Sequence, residues 1–183
     1  IIDDQGGDKL MRITGGCARG RNVPISLAPG VRPTSARVRE ALFSMLGPTL
    51  AGQRFLDVFG GAGLMGLEAW SRGAQVTIIE KNARAHKDIL ARGQALGADW
   101  IVHRGDAIKW IQRLSPFDVV FADPPYAMDM GPILDRLAPL AGRVLVAETT
   151  VGYVPPATVL GLCLHRHRVY GGSALSVFHR LES

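Results

Sequence analysis

The residues with the clearest chemical potential are Asp123-Pro124-Pro125-Tyr126, which directly follow the apolar run 117–122. Proline cannot continue a strand ladder, so this run predicts a buried strand that ends at the acid. In an open α/β sheet, ligands bind beyond the carboxyl ends of the strands. The turn therefore offers a carboxylate, a stiff backbone and an aromatic ring to a flat, nitrogen-rich substrate such as a nucleobase.

A second set of candidate residues follows the apolar run 54–59. Gly61, Gly63 and Gly66 have the G-x-G-x-x-G spacing of a dinucleotide-binding loop, between a predicted strand and a predicted helix. Glycine lets the backbone approach a ligand closely, and a helix start supplies free N–H groups. Glu80, at the end of the next predicted strand, is placed to bind two ribose hydroxyls, although an exposed strand-end acid would give the same pattern.

The acid before the glycines discriminates between adenosine cofactors. Asp57 would repel a pyrophosphate at the helix start, but it suits the ammonium and sulfonium groups of S-adenosylmethionine (SAM). Asp106, after the third predicted strand, can accept a hydrogen bond from an adenine amino group, or it can simply cap a helix. We predict a SAM site formed by Thr34, Asp57, Phe59, Gly60, Gly61, Gly63, Glu80, Lys81, Asp106 and Ala107.

The elements that must position these residues alternate between strand and helix from residue 54 onward. Such alternation predicts a doubly wound, mostly parallel α/β sheet. Two later β-rich runs, 158–170 and 174–181, are joined by a short Gly-rich turn and predict an antiparallel hairpin at one edge. The predicted strands are 54–59, 75–80, 100–104, 117–122 and 143–148, and the predicted helices are 36–46, 64–72, 82–96, 106–113 and 131–140.

The segment before this α/β domain has a different composition. Residues 1–10 are acidic and Gly-rich, and we predict a disordered extension, either natural or a remnant of expression. Residues 11–34 predict a small β-hairpin arm around a loop rich in Gly and Arg, and residues 35–183 form the predicted main domain. Thr34 or Ser35 can cap the first helix of that domain.

Positive charge is concentrated in this arm and the first helix. The formal net charge is +5, with 21 Lys+Arg against 16 Asp+Glu, and no acid occurs between Asp8 and Glu40. A basic segment of this kind favours contact with a phosphate backbone, although it could also serve only as a solvated surface. The candidate RNA contacts are Arg12, Arg19, Arg21, Arg32, Arg37 and Arg39.

Several motifs together resemble the bacterial 16S rRNA guanine-N2 methyltransferase family, type D. They are Arg32-Pro33-Thr34, Arg37-Val38-Arg39-Glu40-Ala41-Leu42-Phe43, Gly66-Leu67-Glu68-Ala69, Ser71-Arg72-Gly73-Ala74, Asp123-Pro124-Pro125-Tyr126 and Val169-Tyr170-Gly171-Gly172. The resemblance runs from Met11 to about Leu181 and implies a class I SAM-dependent methyltransferase (Rossmann-like) fold, with a guanine of the small ribosomal subunit as target. The loop Phe59-Gly60-Gly61-Ala62-Gly63 departs from the family's usual Phe-Ala-Gly-Ser-Gly form, and Ala62 lacks the hydroxyl of the serine.

The expected chemistry takes place at the proline turn. The lone pair of an exocyclic guanine amine is delocalised into the ring, so acceptors for its N–H groups increase its nucleophilicity. The carboxylate of Asp123 and the carbonyl of Pro124 are the expected acceptors, Pro125 stiffens the turn, and Tyr126 can stack on the base. Displacement at a sulfonium methyl depends mostly on positioning, and we predict that no metal takes part.

Two other functions remain open on the sequence. An Asp-Pro-Pro-Tyr turn also suits adenine or cytosine amines in DNA or RNA. A Gly-rich loop also occurs in nicotinamide-dependent oxidoreductases and in noncatalytic nucleotide-binding domains, although Asp57 and the proline turn disfavour both. No apolar stretch approaches the length of a membrane span, and the cysteines, Cys17 and Cys163, form no framework for disulfides or zinc. We predict a cytoplasmic monomer that acts on 16S rRNA within a protein-bound small-subunit particle.

Overall fold

The structure, a computed structural model, describes residues 9–25 and 34–181. An eight-stranded sheet has the strand order β5-β4-β3-β6-β7-β10-β9-β8, and β1 and β2 form a separate antiparallel hairpin. The strands β3 to β7 are parallel, and β8 to β10 extend the sheet antiparallel from β7. These findings confirm the predicted α/β class and its C-terminal hairpin.

The element bounds follow local signals. Strands are β1 (Lys9–Arg12), β2 (Asn22–Ile25), β3 (Arg54–Asp57), β4 (Gln75–Glu80), β5 (Ile101–Arg104), β6 (Phe117–Ala122), β7 (Ala141–Thr150), β8 (Thr158–Val159), β9 (Leu162–Tyr170) and β10 (Ser173–Arg180). Helices are α1 (Ala36–Leu46), α2 (Leu64–Ser71), α3 (Ala83–Leu96), α4 (Ala107–Ile111) and α5 (Met130–Leu137). The side chains of Ser35, Asn82, Asp106 and Asp129 cap α1, α3, α4 and α5. Within the described ranges, none of these helices is both long and apolar enough to cross a membrane.

Helices cover both faces of the sheet and enclose one apolar core on each side. The first core joins α1, α2, α3 and the N-terminal hairpin to the sheet, and the second joins α4 and α5 to the other face. The chain runs from β3 outward to β4 and β5, then returns to the other side of β3 to form β6 and β7. This reversal opens a crevice at the carboxyl ends of β3 and β6, where an open α/β sheet binds its ligands.

Several predicted boundaries are wrong, and two of them are small: β3 ends at Asp57 instead of Phe59, and α4 ends at Ile111 instead of Arg113. Strand β1 starts at Lys9, inside the predicted disordered extension, because Lys9 pairs with Ile25; residues 1–8 lie outside the described ranges. Helix α5 ends at Leu137, where a 3₁₀ turn containing proline takes over. Strand β7 is longer than predicted because β10 pairs along most of its length. The run 158–170 is divided by a turn at 160–161, where both residues have positive φ.

Candidate active site

A cavity of about 780 Å³ lies at the carboxyl ends of β3 to β6. It brings together the glycine loop after β3, the acid at the end of β4, the start of α4 and the proline turn after β6. Segments far apart in sequence therefore line one space, as the sheet topology requires. The predicted residues on its wall are Thr34, Asp57, Phe59, Gly60, Gly61, Glu80, Lys81, Asp106, Ala107, Asp123, Pro124, Pro125 and Tyr126.

Asp57 supplies a buried carboxylate with one unsatisfied oxygen. Its Oδ2 accepts a hydrogen bond from the backbone N–H of Gly66 at 3.2 Å, whereas Oδ1 is buried with no partner in the described part of the chain. Burial raises the pKa of Asp57 to about 7; the Gly66 hydrogen bond opposes this shift, and the charge of Glu80 adds to it. A buried acceptor without a donor is costly, so this oxygen is suited to a cationic donor group in the cavity.

Asp123 lines the cavity directly after β6, next to the end of β3 that carries Asp57. Its pKa is raised to about 8, first by burial and then by the negative charges of Glu148 and Asp57. The charges of Asp57 and Glu148 thus each disfavour the ionised form of Asp123. A bound cation would relieve this repulsion and favour the ionised forms.

Glu148 does not line the cavity, but it is a buried acid next to Asp123 that the sequence reasoning missed. It lies near the end of β7, next to the end of β6, and is only 6% exposed. Burial raises its pKa, hydrogen bonds with the side chains of Ser173 and Thr34 oppose the shift, and its Oε2 has no partner among the described residues. An acid near the end of a predicted strand was the available signal.

Two backbone N–H groups hold the carboxylate of Glu80 in position. Its Oε2 accepts a hydrogen bond from the N–H of Gly61 at 2.6 Å, and its Oε1 accepts one from the N–H of Asn82 at 2.6 Å. The two contacts leave further lone pairs on a half-buried carboxylate that faces the cavity. The carboxylate is therefore pre-oriented to receive hydroxyl donors.

The glycines of the loop have different structural roles. A Cβ at Gly60 would lie 2.5 Å from the Ile78 side chain, so this glycine lets the loop pack on β4. Gly61 has φ +53° and no close side chain above it, which leaves its backbone open to the cavity. The prediction that Gly63 lines the cofactor site is wrong, because Gly63 does not border the cavity. It takes the left-handed N-cap position of α2 and packs against Ile89.

The start of α4 and the proline turn form two further parts of the cavity wall. The side chain of Asp106 accepts a hydrogen bond from the N–H of Lys109 at 3.2 Å, so it caps α4 while also lining the cavity. Pro124 is buried, and the carbonyl of Pro125 accepts a hydrogen bond from the N–H of Met128 at 2.9 Å. Tyr126 is 71% exposed, so its ring is free to contact a large substrate at the cavity mouth.

The predicted RNA role of Arg39 is wrong, because its side chain is buried at 1% exposure. Its Nε donates to Glu68 Oε1 at 3.2 Å, and its Nη1 and Nη2 donate to the carbonyls of Thr34 and Arg12. Glu68 also accepts from Thr14 and forms an ion pair with Arg72. This network fastens the basic arm and α1 to α2, so Arg39 orients the site instead of contacting a ligand.

The other predicted arginines differ from Arg39 in exposure. Arg12, Arg19, Arg21 and Arg37 are exposed, and Arg32 lies outside the described ranges. The loop that carries Arg19 is not a free tip, because Ala18 beside it is buried and donates to Ser71 Oγ at 3.0 Å. The guanidinium groups therefore project from a docked surface.

No group of three or more His, Cys, Asp or Glu residues that could hold a metal ion occurs within residues 9–25 and 34–181. The rings of His165 and His179 stack at 4.4 Å on the outer part of the sheet. The indole of Trp110 donates to the carbonyl of Arg104 at 3.2 Å and supports the turn before α4. The Trp110 contact borders the cavity, whereas His179 pairs with Val144 near the start of β7, away from it.

The chain is similar to known proteins over almost its whole length. A family model described as conserved hypothetical protein 95 matches residues 11–179. The chain is 34% identical over 182 residues to ribosomal RNA small subunit methyltransferase D of Escherichia coli K12, which covers 95% of this chain and 92% of that protein.

Solved structures extend the comparison. An Escherichia coli protein described as a methyltransferase superposes with a TM-score of 0.82 at 32% identity, over 96% of this chain and 100% of that one. SMU.776, described as a methyltransferase complexed with SAH, superposes with a TM-score of 0.72 at 12% identity, over 98% of this chain and 57% of that one. The second likeness shows the fold alone.

Proposed function

The chain belongs to the ribosomal RNA small subunit methyltransferase D family, and from this premise we propose that it transfers a methyl group from SAM to small-subunit ribosomal RNA. The observation that carries the proposal is the placement of Asp57 and the proline turn, Asp123 to Tyr126, on one cavity at the β3–β6 crevice. A cation site and an acceptor site for an amine thus face a common space. The DNA and oxidoreductase alternatives receive no comparable support.

The cavity residues fit SAM. The unpaired Oδ1 of Asp57 is suited to the ammonium of the methionine part, and the carboxylate of Glu80 is suited to the ribose hydroxyls. Asp106 and Ala107 border the space for the adenine, and Phe59, Gly60, Gly61, Lys81 and Thr34 complete the wall. When bound, SAM supplies an electrophilic methyl group that needs no further activation.

The proline turn holds the target amine. We propose N2 of a guanine in 16S rRNA, whose N–H groups donate to the carboxylate of Asp123 and the carbonyl of Pro124. Tyr126 stacks on the base, and Pro125 keeps the turn rigid. The base must leave its stack to enter, at a cost of a few kcal/mol. The protein works as a cytoplasmic monomer on a protein-bound small-subunit particle.

Methyl transfer tests the proposal directly. The protein is incubated with methyl-labelled SAM and small ribosomal subunits from cells that lack it, in parallel with protein-free 16S rRNA. We expect label in the RNA, and mass spectrometry of the digested RNA should identify N2-methylguanosine at one position. Label on an adenine or a cytosine would contradict the guanine assignment, and unlabelled RNA in both reactions would contradict the function.

Glu80→Ala should lower SAM affinity by about 100-fold, because hydrogen bonds to a charged group contribute roughly 1.5–3 kcal/mol. Calorimetry with SAM measures the change, and Glu40→Ala, which removes an exposed acid from α1, is the matched control. NAD should bind neither variant. An unchanged affinity in Glu80→Ala would remove Glu80 from the cofactor site.

Tyr126→Ala should reduce kcat/KM for the RNA substrate by about 10- to 100-fold, whereas Tyr126→Phe should keep most of the activity. The reason is that base stacking, worth roughly 1–3 kcal/mol, needs the ring and not the hydroxyl. Steady-state kinetics of the two variants measures kcat/KM for the RNA substrate and separates the role of the ring from that of the hydroxyl. Equal losses in both would show that the hydroxyl takes part in the chemistry.

Glu148→Gln should shift the acidic limb of the pH profile of kcat/KM to lower pH by about one unit. Asp123 must be ionised to accept the amine, its pKa is raised to about 8, and Glu148 is one cause of that rise. Kinetics between pH 6 and 9.5 measures the limb, with Asp135→Asn on the exposed face of α5 as control. An unmoved limb would mean that the two carboxyl groups do not interact.

A further inference from the structure

Two long segments of the chain contain no acidic residue. No Asp or Glu occurs in residues 9–39 or in residues 149–181. The first segment contains the basic arm, and the second contains three arginines that the proposed function does not use. Arg180 has a structural role, because its guanidinium donates to the carbonyls of Ala138, Ala141 and Leu160. Arg166 and Arg168 on β9 remain to be explained.

These two arginines point to the face of the sheet that carries α1. Arg166 lies directly opposite Val177 of β10, and Arg168 lies opposite Leu175. Directly opposed residues of an antiparallel pair share a face. Val177 and Leu175 belong to the core that packs against α1, so both arginines lie on that side, beyond the edge of the core.

The row formed by Arg166 and Arg168 leads toward the mouth of the cavity. Tyr170, two residues further along β9, packs against the same core, and Gly172 in the following turn lines the cavity. At about 3.4 Å per residue, Arg168 lies roughly 14 Å or less from Gly172. Thr34 lines the same cavity as Gly172, which places the start of α1, and with it the exposed Arg37, near this turn.

Both guanidinium groups are available to a ligand. Arg166 and Arg168 are exposed, and the ion pairs among the described residues are those of Glu68 with Arg39 and Arg72. Strand β8 pairs with Leu162 and Cys163, and Leu164 donates to the carbonyl of Ala157, so β9 is an open edge from His165 onward. Charges on an edge strand also discourage aggregation, which is the competing explanation for this row.

We propose that Arg166 and Arg168 form a second RNA-backbone contact, continuous with Arg37 at the cavity mouth. The inference rests on the proposed function, and it adds that the RNA lies across the α1 face of the C-terminal strands. Guanidinium groups bind phosphate in a bidentate manner, and such contacts set the register of the RNA without reading its sequence. The arm and β9 would then position the target base over Tyr126 from two sides.

Arg166→Ala/Arg168→Ala tests this contact. Affinity for a 16S rRNA transcript is measured over a salt series, and kcat and KM are measured on small ribosomal subunits from cells lacking the protein. The matched control, Lys87→Ala/Arg136→Ala, removes two exposed positive charges from α3 and α5. A second control, Arg166→Lys/Arg168→Lys, retains the charge, and Arg19→Ala/Arg21→Ala serves as the comparison for the arm.

We expect the β9 variant to flatten the log–log salt slope by about one to two units and to raise KM about 10-fold, with kcat and SAM affinity unchanged. The Lys87/Arg136 control should match the parent protein, and the Lys double variant should keep the slope. A β9 variant with the slope of that control, or one that only aggregates, would overturn the contact. If the parent protein binds RNA with a steeper salt slope than the β9 variant but transfers no methyl group, the proposed function is overturned and the β9 contact is retained.

Discussion

Asp123→Ala is expected to reduce methyl transfer by about 100- to 10,000-fold while leaving SAM affinity nearly unchanged. In the proposed mechanism the carboxylate of Asp123, which lines the cavity, accepts from the target amine, so its loss removes an oriented acceptor from the transition state. Single-turnover kinetics with saturating SAM measures the chemical step, and calorimetry measures SAM binding.

Asp123→Asn supplies the matched comparison. It keeps the shape and one acceptor oxygen but introduces an amide donor, so its rate should lie between those of the parent protein and Asp123→Ala. Asp135→Ala, on the exposed face of α5, should behave as the parent protein. A parallel loss of SAM affinity and activity in Asp123→Ala would place Asp123 in the cofactor site instead.

Asp57→Asn is expected to weaken SAM binding by about 100-fold and, at the same time, to stabilise the fold at pH 8. The first effect follows from the loss of a buried negative charge whose Oδ1 has no partner in the described part of the chain. The second follows because burial makes the ionised carboxylate unfavourable in the folded state.

The sign of the pH dependence follows from the pKa values. The pKa of Asp57 is about 7 in the folded protein against 3.8 as the ordinary value, so the folded state retains a proton that the unfolded chain releases. The free energy of unfolding therefore falls as pH rises from about 4 to 7. The stability gain of Asp57→Asn should be small at pH 5 and larger at pH 8.

Thermal unfolding at the two pH values measures this difference, at about 2–4 °C per kcal/mol for a chain of this size. Ser115→Ala, at an exposed position before β6, is a neutral control. A variant that loses SAM affinity but gains no stability at pH 8 would show that the Asp57 carboxylate is satisfied in the free protein. A variant that binds SAM normally would remove the proposed ammonium site.

Much of the fold could be predicted because its signals are local. Ser35 and Asn82 cap their helices through bonds to backbone N–H groups within three residues, and Gly97 ends α3 in the left-handed conformation. The apolar run 117–122 identified the end of β6 correctly, and the run 54–59 placed the end of β3 within two residues of its observed end at Asp57. In a parallel sheet such ends share one edge, so the chemistry of the site was visible before its geometry.

Burial and pairing between distant segments were decided only by the tertiary structure. Arg39 stands among exposed arginines in sequence, yet an ion pair with Glu68, 29 residues away, buries it. Glu148 lies next to Asp123 because β7 pairs with β6. The residue types and their spacing determined where helices and strands end and which side chains stand at those ends, because these features depend on neighbours in sequence. The tertiary structure alone decided which charges are desolvated and which meet, since a carboxylate's solvent and partners come from chain segments that local patterns do not specify.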